Sequence, residues 1–180
     1  MTLGDATSGS VNTALLILRL TLAGVFLAHG LNHIYGGGKI AGTAGWFESL
    51  GMKPGILHAW TASLTEVGAG VLLVLGLLTA VAAAGVVGVM LVALITNHLK
   101  NGFFIFRPGE GWEYVATLTL VGVAVGTLGP GAWSVDGHVS ALQHLWGWPG
   151  FLITVVAGGG GCALLLLTFW RPEKKDVPAT

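Results

Sequence analysis

Five apolar runs, at residues 11–33, 56–77, 79–100, 112–128 and 151–170, constrain this chain more than any motif in it. Each comes close to the ~20 residues that a helix needs to cross a ~30 Å hydrocarbon layer. What remains between the runs is too short for a large water-soluble domain. The expected fold class is therefore all-α, a polytopic membrane bundle in which four helices form a core and a fifth, C-terminal transmembrane helix is added to it. The expected organisation is a tail over 1–10, a four-helix core over 11–136, a loop over 137–148, the fifth span over 149–171 and a cytoplasmic tail over 172–180.

Charge removes one class of partner and cysteine usage removes one class of chemistry. Eight basic and eight acidic residues leave a net charge of +0, so no basic face is available to replace phosphate counterions and no nucleic-acid partner is expected. Cys162 is the single cysteine. With no second thiol for a disulfide or a CxxC pair, redox chemistry must use a bound cofactor, a quinone or a partner protein. The lipid bilayer is the one partner that the apolar runs demand.

The connections have distinct characters. Gly36-Gly37-Gly38 ends the first run, because three consecutive glycines are too flexible to continue a helix. That run does not read as a cleaved signal peptide, since Asp5 precedes it and no Lys or Arg comes before Arg19. Residues 39–54 place Trp46, Phe47 and Leu50 at helical spacing beside Glu48 and Lys53, the pattern of an amphipathic helix lying at the membrane interface. Gly76 and Thr79 leave room only for a tight hairpin. Residues 101–109, with three phenylalanines, glycine and proline, suit a loop that dips into the headgroups, and Gly129-Pro130-Gly131 stops the fourth run. The polar connection after it carries Asp136, His138 and His144.

Loop charge gives an orientation. Lys39, Lys53, Lys100, Arg107, Arg171, Lys174 and Lys175 all fall on one side if the runs alternate in direction. The positive-inside rule then puts the N-terminus outside and the C-terminus in the cytoplasm of a bacterial-type plasma membrane. Trp60, Trp112, Trp148 and Trp170 lie near expected helix ends, as an aromatic belt requires. The glycines of the fourth run, Gly122 and Gly126, form a GxxxG pair, and Gly85, Gly88 and Gly158 to Gly161 extend the pattern. In lipid these are mostly surfaces where helices pack closely.

Glu66 is a carboxylate inside an otherwise uncharged stretch, residues 56–92. A lone ionisable group at that depth costs several kcal/mol unless it is paired or functional, and Arg19 in the first run is the natural partner. If His33 and His58 share one boundary, a rise of ~1.5 Å per residue puts the Arg19 and Glu66 Cα atoms roughly 9 Å apart in depth. Arg19 and Glu66 are accordingly the candidate catalytic pair, as a proton or electrostatic relay. The competing reading is an ion pair that only fixes helix register.

A second layer lies nearer the cytoplasmic side. His29 and His33 stand i, i+4 on one face of the first helix, and His98 and Glu113 belong at similar depth. The loop from Phe103 to Phe106 lies over them as a lid. His29, His33, His98, Glu113, Phe103 and Phe106 are the candidate ligand-binding residues. Three readings stay open: structural histidines, a quinone or similar ring held by their hydrogen bonds, and haem or a divalent metal. Neither haem nor a divalent metal has a recognised signature in these spacings, and no metal ligands are assigned.

The residues also resemble the DoxX family of small integral membrane proteins. The matches are Arg19, Gly24 and His29-Gly30 in the first helix, then Glu66, Gly68, Gly70 and Leu72 to Gly76 in the second. Thr79, Met90, His98 with Gly102-Phe103, Glu113, Gly129-Pro130-Gly131, Ser134 and Asp136 follow in order. The chain departs from the pattern at His33, where the family commonly has lysine, and in its fifth span, which lies beyond the usual four-helix core. The resemblance implies the small subunit of a quinone-linked oxidoreductase, such as thiosulfate:quinone oxidoreductase. Some members look like anchors for soluble redox partners.

Two functions from different classes follow. One is a membrane subunit of a redox complex that binds quinone between the histidines, with a protein partner supplying electrons. The other is a non-catalytic scaffold or assembly factor, whose polar groups fix the bundle and whose fifth helix and glycine faces hold a partner.

Overall fold

The computed structural model describes residues 3–172, with side chains from Ser8 onward. Among the described residues the regular structure is helical throughout, and no strand forms. The helices are α1 (Leu3–Tyr35), α2 (Lys39–Ser49), α3 (Gly55–Leu75), α4 (Thr79–Ala93), α5 (Glu113–Leu128), α6 (Val135–His138), α7 (Ser140–Gln143), α8 (Trp148–Leu152) and α9 (Gly158–Phe169). A π-helical turn, Leu94–His98, and a short 3-10 turn, Leu99–Asn101, prolong α4, and a second π turn, Ile153–Ala157, joins α8 to α9. Helices suit this sequence because lipid offers the backbone no hydrogen bonds, so each amide must find its partner within its own segment.

Four helical stretches are long and apolar enough to cross a membrane: Ser8–Tyr35, Gly55–Leu75, Thr79–Asn101 and Trp148–Phe169. The fourth run, expected as a span over 112–128, forms α5, a shorter apolar helix of 16 residues. That is about 24 Å of helix at ~1.5 Å per residue. It still runs from one end of the bundle to the other. The Trp112 amide before it bonds to the Gly102 carbonyl at 3.0 Å, and the Thr127 carbonyl near its far end accepts from Gly147 at 2.7 Å. α1 also starts earlier than its apolar run, at Leu3 instead of residue 11.

α4 is the central helix. Half of its membrane window is buried, more than in the other three spans, and it packs on α3, α5 and α9. The core around it takes Leu22 and Phe26 from α1, Leu73 from α3, Val86 from α4 and Val125 from α5. A smaller cluster joins α2, α3 and α9 through Phe47, Met52, Ala59, Cys162 and Leu166. The amphipathic helix α2 thus folds against α3, burying Ala44 and Phe47 while Trp46 stays exposed. α9 lies in the bundle as a wall against α4, and is not merely an appendage to it.

Glycine sets the helix spacing where the GxxxG pair predicted close packing. Gly126 lets α5 approach Ala83 and the Thr154 hydroxyl, and Gly122 lies where any Cβ would meet Val86 Cγ1 at 2.9 Å. Loops tie the two ends. At one end the Asn12 side chain accepts from the Ala132 amide at 2.8 Å. At the other, Arg171 N donates to the Gly51 carbonyl at 2.8 Å and Trp170 Nε1 to the Leu50 carbonyl at 2.9 Å. Lys39, Lys53, Lys100, Arg107 and Arg171 therefore share one end of the molecule, while Lys174, Lys175 and the expected tail from 173 onward lie outside the described residues.

Candidate functional site

The site begins with a glycine. Gly30 of α1 sits against α3, where a Cβ would lie 2.8 Å from Val67 Cγ2, 3.0 Å from Glu66 Cβ and 3.0 Å from the Ser63 carbonyl oxygen. No other residue allows that approach without moving a helix. The consequence is that His29 and His33, one on each side of Gly30 along α1, come within side-chain reach of Glu66. His33 Nδ1 lies 3.1 Å from Glu66 Oε2. Donor atoms of His29, His33 and Glu66 all lie within 4.8 Å of one another.

The two closest atoms do not satisfy each other. His33 Nδ1 and Glu66 Oε2 are buried and neither makes an aligned hydrogen bond to any protein group. Glu66 is 4% exposed, so its carboxylate has almost no access to bulk solvent. Burial without a hydrogen bond costs such a group several kcal/mol. A proton, a ligand atom or a cation between the two residues would relieve that cost.

All three residues line one cavity of about 1060 Å³, which also takes lining from α2, α4, α9 and Tyr114. Leu72, Val81, Val89 and Leu165 make its walls apolar, and Asn97 and His98 add polar groups from the π turn that prolongs α4. Such turns displace side chains that a regular helix would point elsewhere. His98 is already engaged. Its Nδ1 lies 3.0 Å from the Glu110 carbonyl, so it carries the proton and donates, which leaves Nε2 as acceptor for the Asn97 amide at 3.4 Å. His58 is 2% exposed, also borders the cavity, and packs its ring on Phe169 at 5.1 Å and Phe47 at 6.1 Å.

The cavity thus gathers His29, His33, His98 and Glu66 but leaves out three residues placed there by sequence. Glu113 does not line it; one position on, Tyr114 does, because the first turn of α5 faces the cavity with that side chain instead. Phe103 and Phe106 form no lid. Phe103 stacks edge-on against Trp112 at 4.7 Å, and Phe106, 80% exposed, lies on Phe104 at 5.1 Å. Glu110 is the loop residue that reaches the cavity.

The pairing of Arg19 with Glu66 also needs correction. Arg19 Nη2 donates to the Trp133 carbonyl at 2.9 Å, and its guanidinium fills the space beside Gly76. Gly76 lies ten residues beyond Glu66 on the α3 side, about 15 Å at ~1.5 Å per residue. The reason is register. Gly30 faces Ser63 to Val67, Leu27 faces Gly70 and Arg19 faces Gly76, so α1 and α3 are offset from an alignment that sets His33 beside His58.

Asp136 does work that a loop position hides. It is 2% exposed, and its carboxylate accepts from the Leu78 amide at 2.8 Å, the Thr79 amide at 2.9 Å and the Thr79 hydroxyl at 2.8 Å. These are the orphan donors at the start of α4. With Arg19 and Ser134 it forms a polar corner at the end of the bundle opposite the basic loops.

A family model, DoxX, matches residues 14–99, the stretch that holds Arg19, His29, His33, Glu66 and His98. Comparisons with curated proteins and with solved structures returned no match.

Proposed function

Through residues 14–99 this chain belongs to the DoxX family, and from that premise we propose that it is the membrane subunit of a redox complex and holds a quinone in the cavity between α1, α3, α4 and α9. It is a multi-pass membrane protein by its spans. The observation that carries the proposal is the cavity itself: about 1060 Å³, apolar over most of its lining, with His29, His33, Glu66, Asn97 and His98 among its polar groups. Small-molecule sites have this composition, an apolar pocket with a few convergent polar groups that fix orientation.

A quinone ring is flat and apolar, with two carbonyl oxygens that accept hydrogen bonds. His29, exposed on the cavity side of α1, supplies a donor, and the His33–Glu66 pair holds a proton beside it. Reduction of a quinone to a quinol takes two electrons and two protons. The pair delivers the two protons in turn by general acid catalysis, taking up the second from water after giving the first, and a protein partner supplies the electrons, the arrangement that the family resemblance implies. Arg19, fixed at the opposite end, takes no part in this relay. The basic end faces the cytoplasm by the positive-inside rule, with the N-terminus outside.

The scaffold reading draws on a different surface. Gly159 and Gly160 of α9 meet nothing within 4 Å, a small-residue face of the kind that membrane helices use against a partner. One preparation separates the two. Organic extraction of the purified protein should yield quinone, and reconstituted protein should rebind it with lower affinity in His29→Ala and Glu66→Gln. An extract without quinone, together with no binding on reconstitution, removes the redox reading and leaves the scaffold.

A further inference from the structure

We propose that His29, His33 and Glu66 bind a divalent first-row transition-metal ion, with the open coordination positions facing the cavity. The inference does not depend on quinone binding.

Geometry comes first. Ligand atoms about 2.0–2.2 Å from a common ion cannot be more than about 4.4 Å from one another. The His33 Nδ1 to Glu66 Oε2 separation of 3.1 Å already suits two adjacent ligands of one ion. The largest separation in the trio, within 4.8 Å, closes by about half an ångström through a small turn of the His29 ring, which is exposed. The i, i+4 spacing of the two histidines puts both on one helix face, and Gly30 between them brings that face onto Glu66.

Satisfaction of buried groups gives an independent sign. His33 Nδ1 and Glu66 Oε2 are both buried and both without an aligned hydrogen bond, although they are close enough to form one. An ordinary buried ion pair turns its atoms toward each other. Here they lie 3.1 Å apart without that alignment, and a cation between them satisfies the carboxylate and the imidazole together. Glu66 lies in mid-helix on α3 with no Lys or Arg paired to it among the described residues, so a dication also supplies its missing counter-charge.

Donor chemistry narrows the ion. Two imidazoles and a carboxylate suit Zn²⁺, Fe²⁺ or Mn²⁺, and the absence of a thiolate from the trio argues against Cu(I). Three protein ligands leave positions free for water or substrate, the arrangement of reactive rather than structural sites. Sequence spacing conceals the set because Glu66 is on a different helix, 33 residues after His33.

The test uses tag-free full-length protein in detergent, stripped with EDTA and titrated with Co²⁺, whose d–d absorption reports coordination number. One ion per chain with visible bands is expected. Glu66→Gln and His33→Ala should each weaken binding by about a hundredfold or more, on the scale of the 10–100-fold loss seen for outer-shell changes alone. His29→Ala changes an exposed side chain and so keeps the fold; it too should weaken Co²⁺ binding, while His138→Ala at the other end should not. Wild-type protein without bands, or His29→Ala with unchanged affinity, overturns the inference. Quinone assayed in the same preparations keeps the two proposals apart: metal without quinone sinks only the reading above, and quinone without metal sinks only this one.

Discussion

Asp136 caps a helix that begins 57 residues before it. Its carboxylate holds the Thr79 amide and hydroxyl at 2.9 and 2.8 Å and the Leu78 amide at 2.8 Å, while its own amide donates to the Gly76 carbonyl at 2.9 Å. The hairpin between α3 and α4 is therefore fixed from outside, by the connection that follows α5. Leu78 there has φ of 48°, a left-handed conformation that costs a non-glycine residue about 1 kcal/mol or more. The cap offsets that cost.

Asp136→Ala should accordingly destabilise the protein by roughly 3 kcal/mol or more, since it strands buried donors at a helix start and removes charged hydrogen bonds. Thr79→Val, which loses only the hydroxyl bond, should cost about 1 kcal/mol. Thermal-unfolding midpoints in detergent check both. Equal effects would show that the amide bonds carry nothing.

Close approach at Gly30 gives the next expectation. A methyl group there would press on Val67, Glu66 and the Ser63 carbonyl, whereas one at Gly24, on the same helix, meets nothing within 4 Å. Gly30→Ala should destabilise by about 1–3 kcal/mol through overpacking, and Gly24→Ala should be neutral or stabilising by up to about 1 kcal/mol through helix propensity. The same melts decide it, and a Gly30→Ala protein as stable as wild type would mean that α1 and α3 are not in this register.

Much of the fold was legible in the chain because hydropathy and glycine placement act locally. The four spans, the α3–α4 hairpin, the breaks at Gly36 and Gly129 and the packing role of Gly122 and Gly126 follow from them. Register was not legible. Setting His33 level with His58 brings Arg19 near Glu66, but the actual offset is chosen by where backbones can touch, at Gly30, Gly70 and Gly76. Hydropathy carries no record of that choice. His29, His33, Glu66 and His98 stood out as polar groups in apolar surroundings, and they do share a cavity. Glu113 and the phenylalanine loop failed for a smaller reason: a one-residue rotation of α5 presents Tyr114 instead, and the loop rings stack on one another and on Trp112.

The corrected register changes an energetic expectation. His33→Ala and Glu66→Gln should couple by about 0.5–3 kcal/mol in a double-mutant cycle, because their atoms are 3.1 Å apart. Arg19→Gln and Glu66→Gln share no partner and should add within about 0.5 kcal/mol. Strong coupling of Arg19 to Glu66 with none of His33 to Glu66 would reverse the assignment.

Sidedness can be read with two single cysteines. Ser140 lies at the end that holds Asn12 and Trp133, and Ser49 at the end that holds Gly51 and Arg171; both are exposed. With basic loops cytoplasmic, Ser140→Cys should react with an impermeant thiol reagent in intact cells, and Ser49→Cys should react only after lysis. Cys162 is buried and adds little background. The opposite labelling pattern would invert the orientation.

The cavity itself can be filled without disturbing the trio. Gly161 borders it from α9, and a Cβ built there meets nothing within 4 Å. Replacement by leucine exchanges a poor helix former for a good one, worth up to about 1 kcal/mol in stability, and puts four carbons where a ligand ring would lie. Gly161→Leu should therefore keep or raise the thermal midpoint while quinone content in organic extracts falls severalfold. Gly159→Leu, two positions away on α9 and also in open space, does not border the cavity and should leave quinone content unchanged. If both changes lower quinone equally, the ligand sits on the outer surface of α9; if neither does, the cavity is not its site.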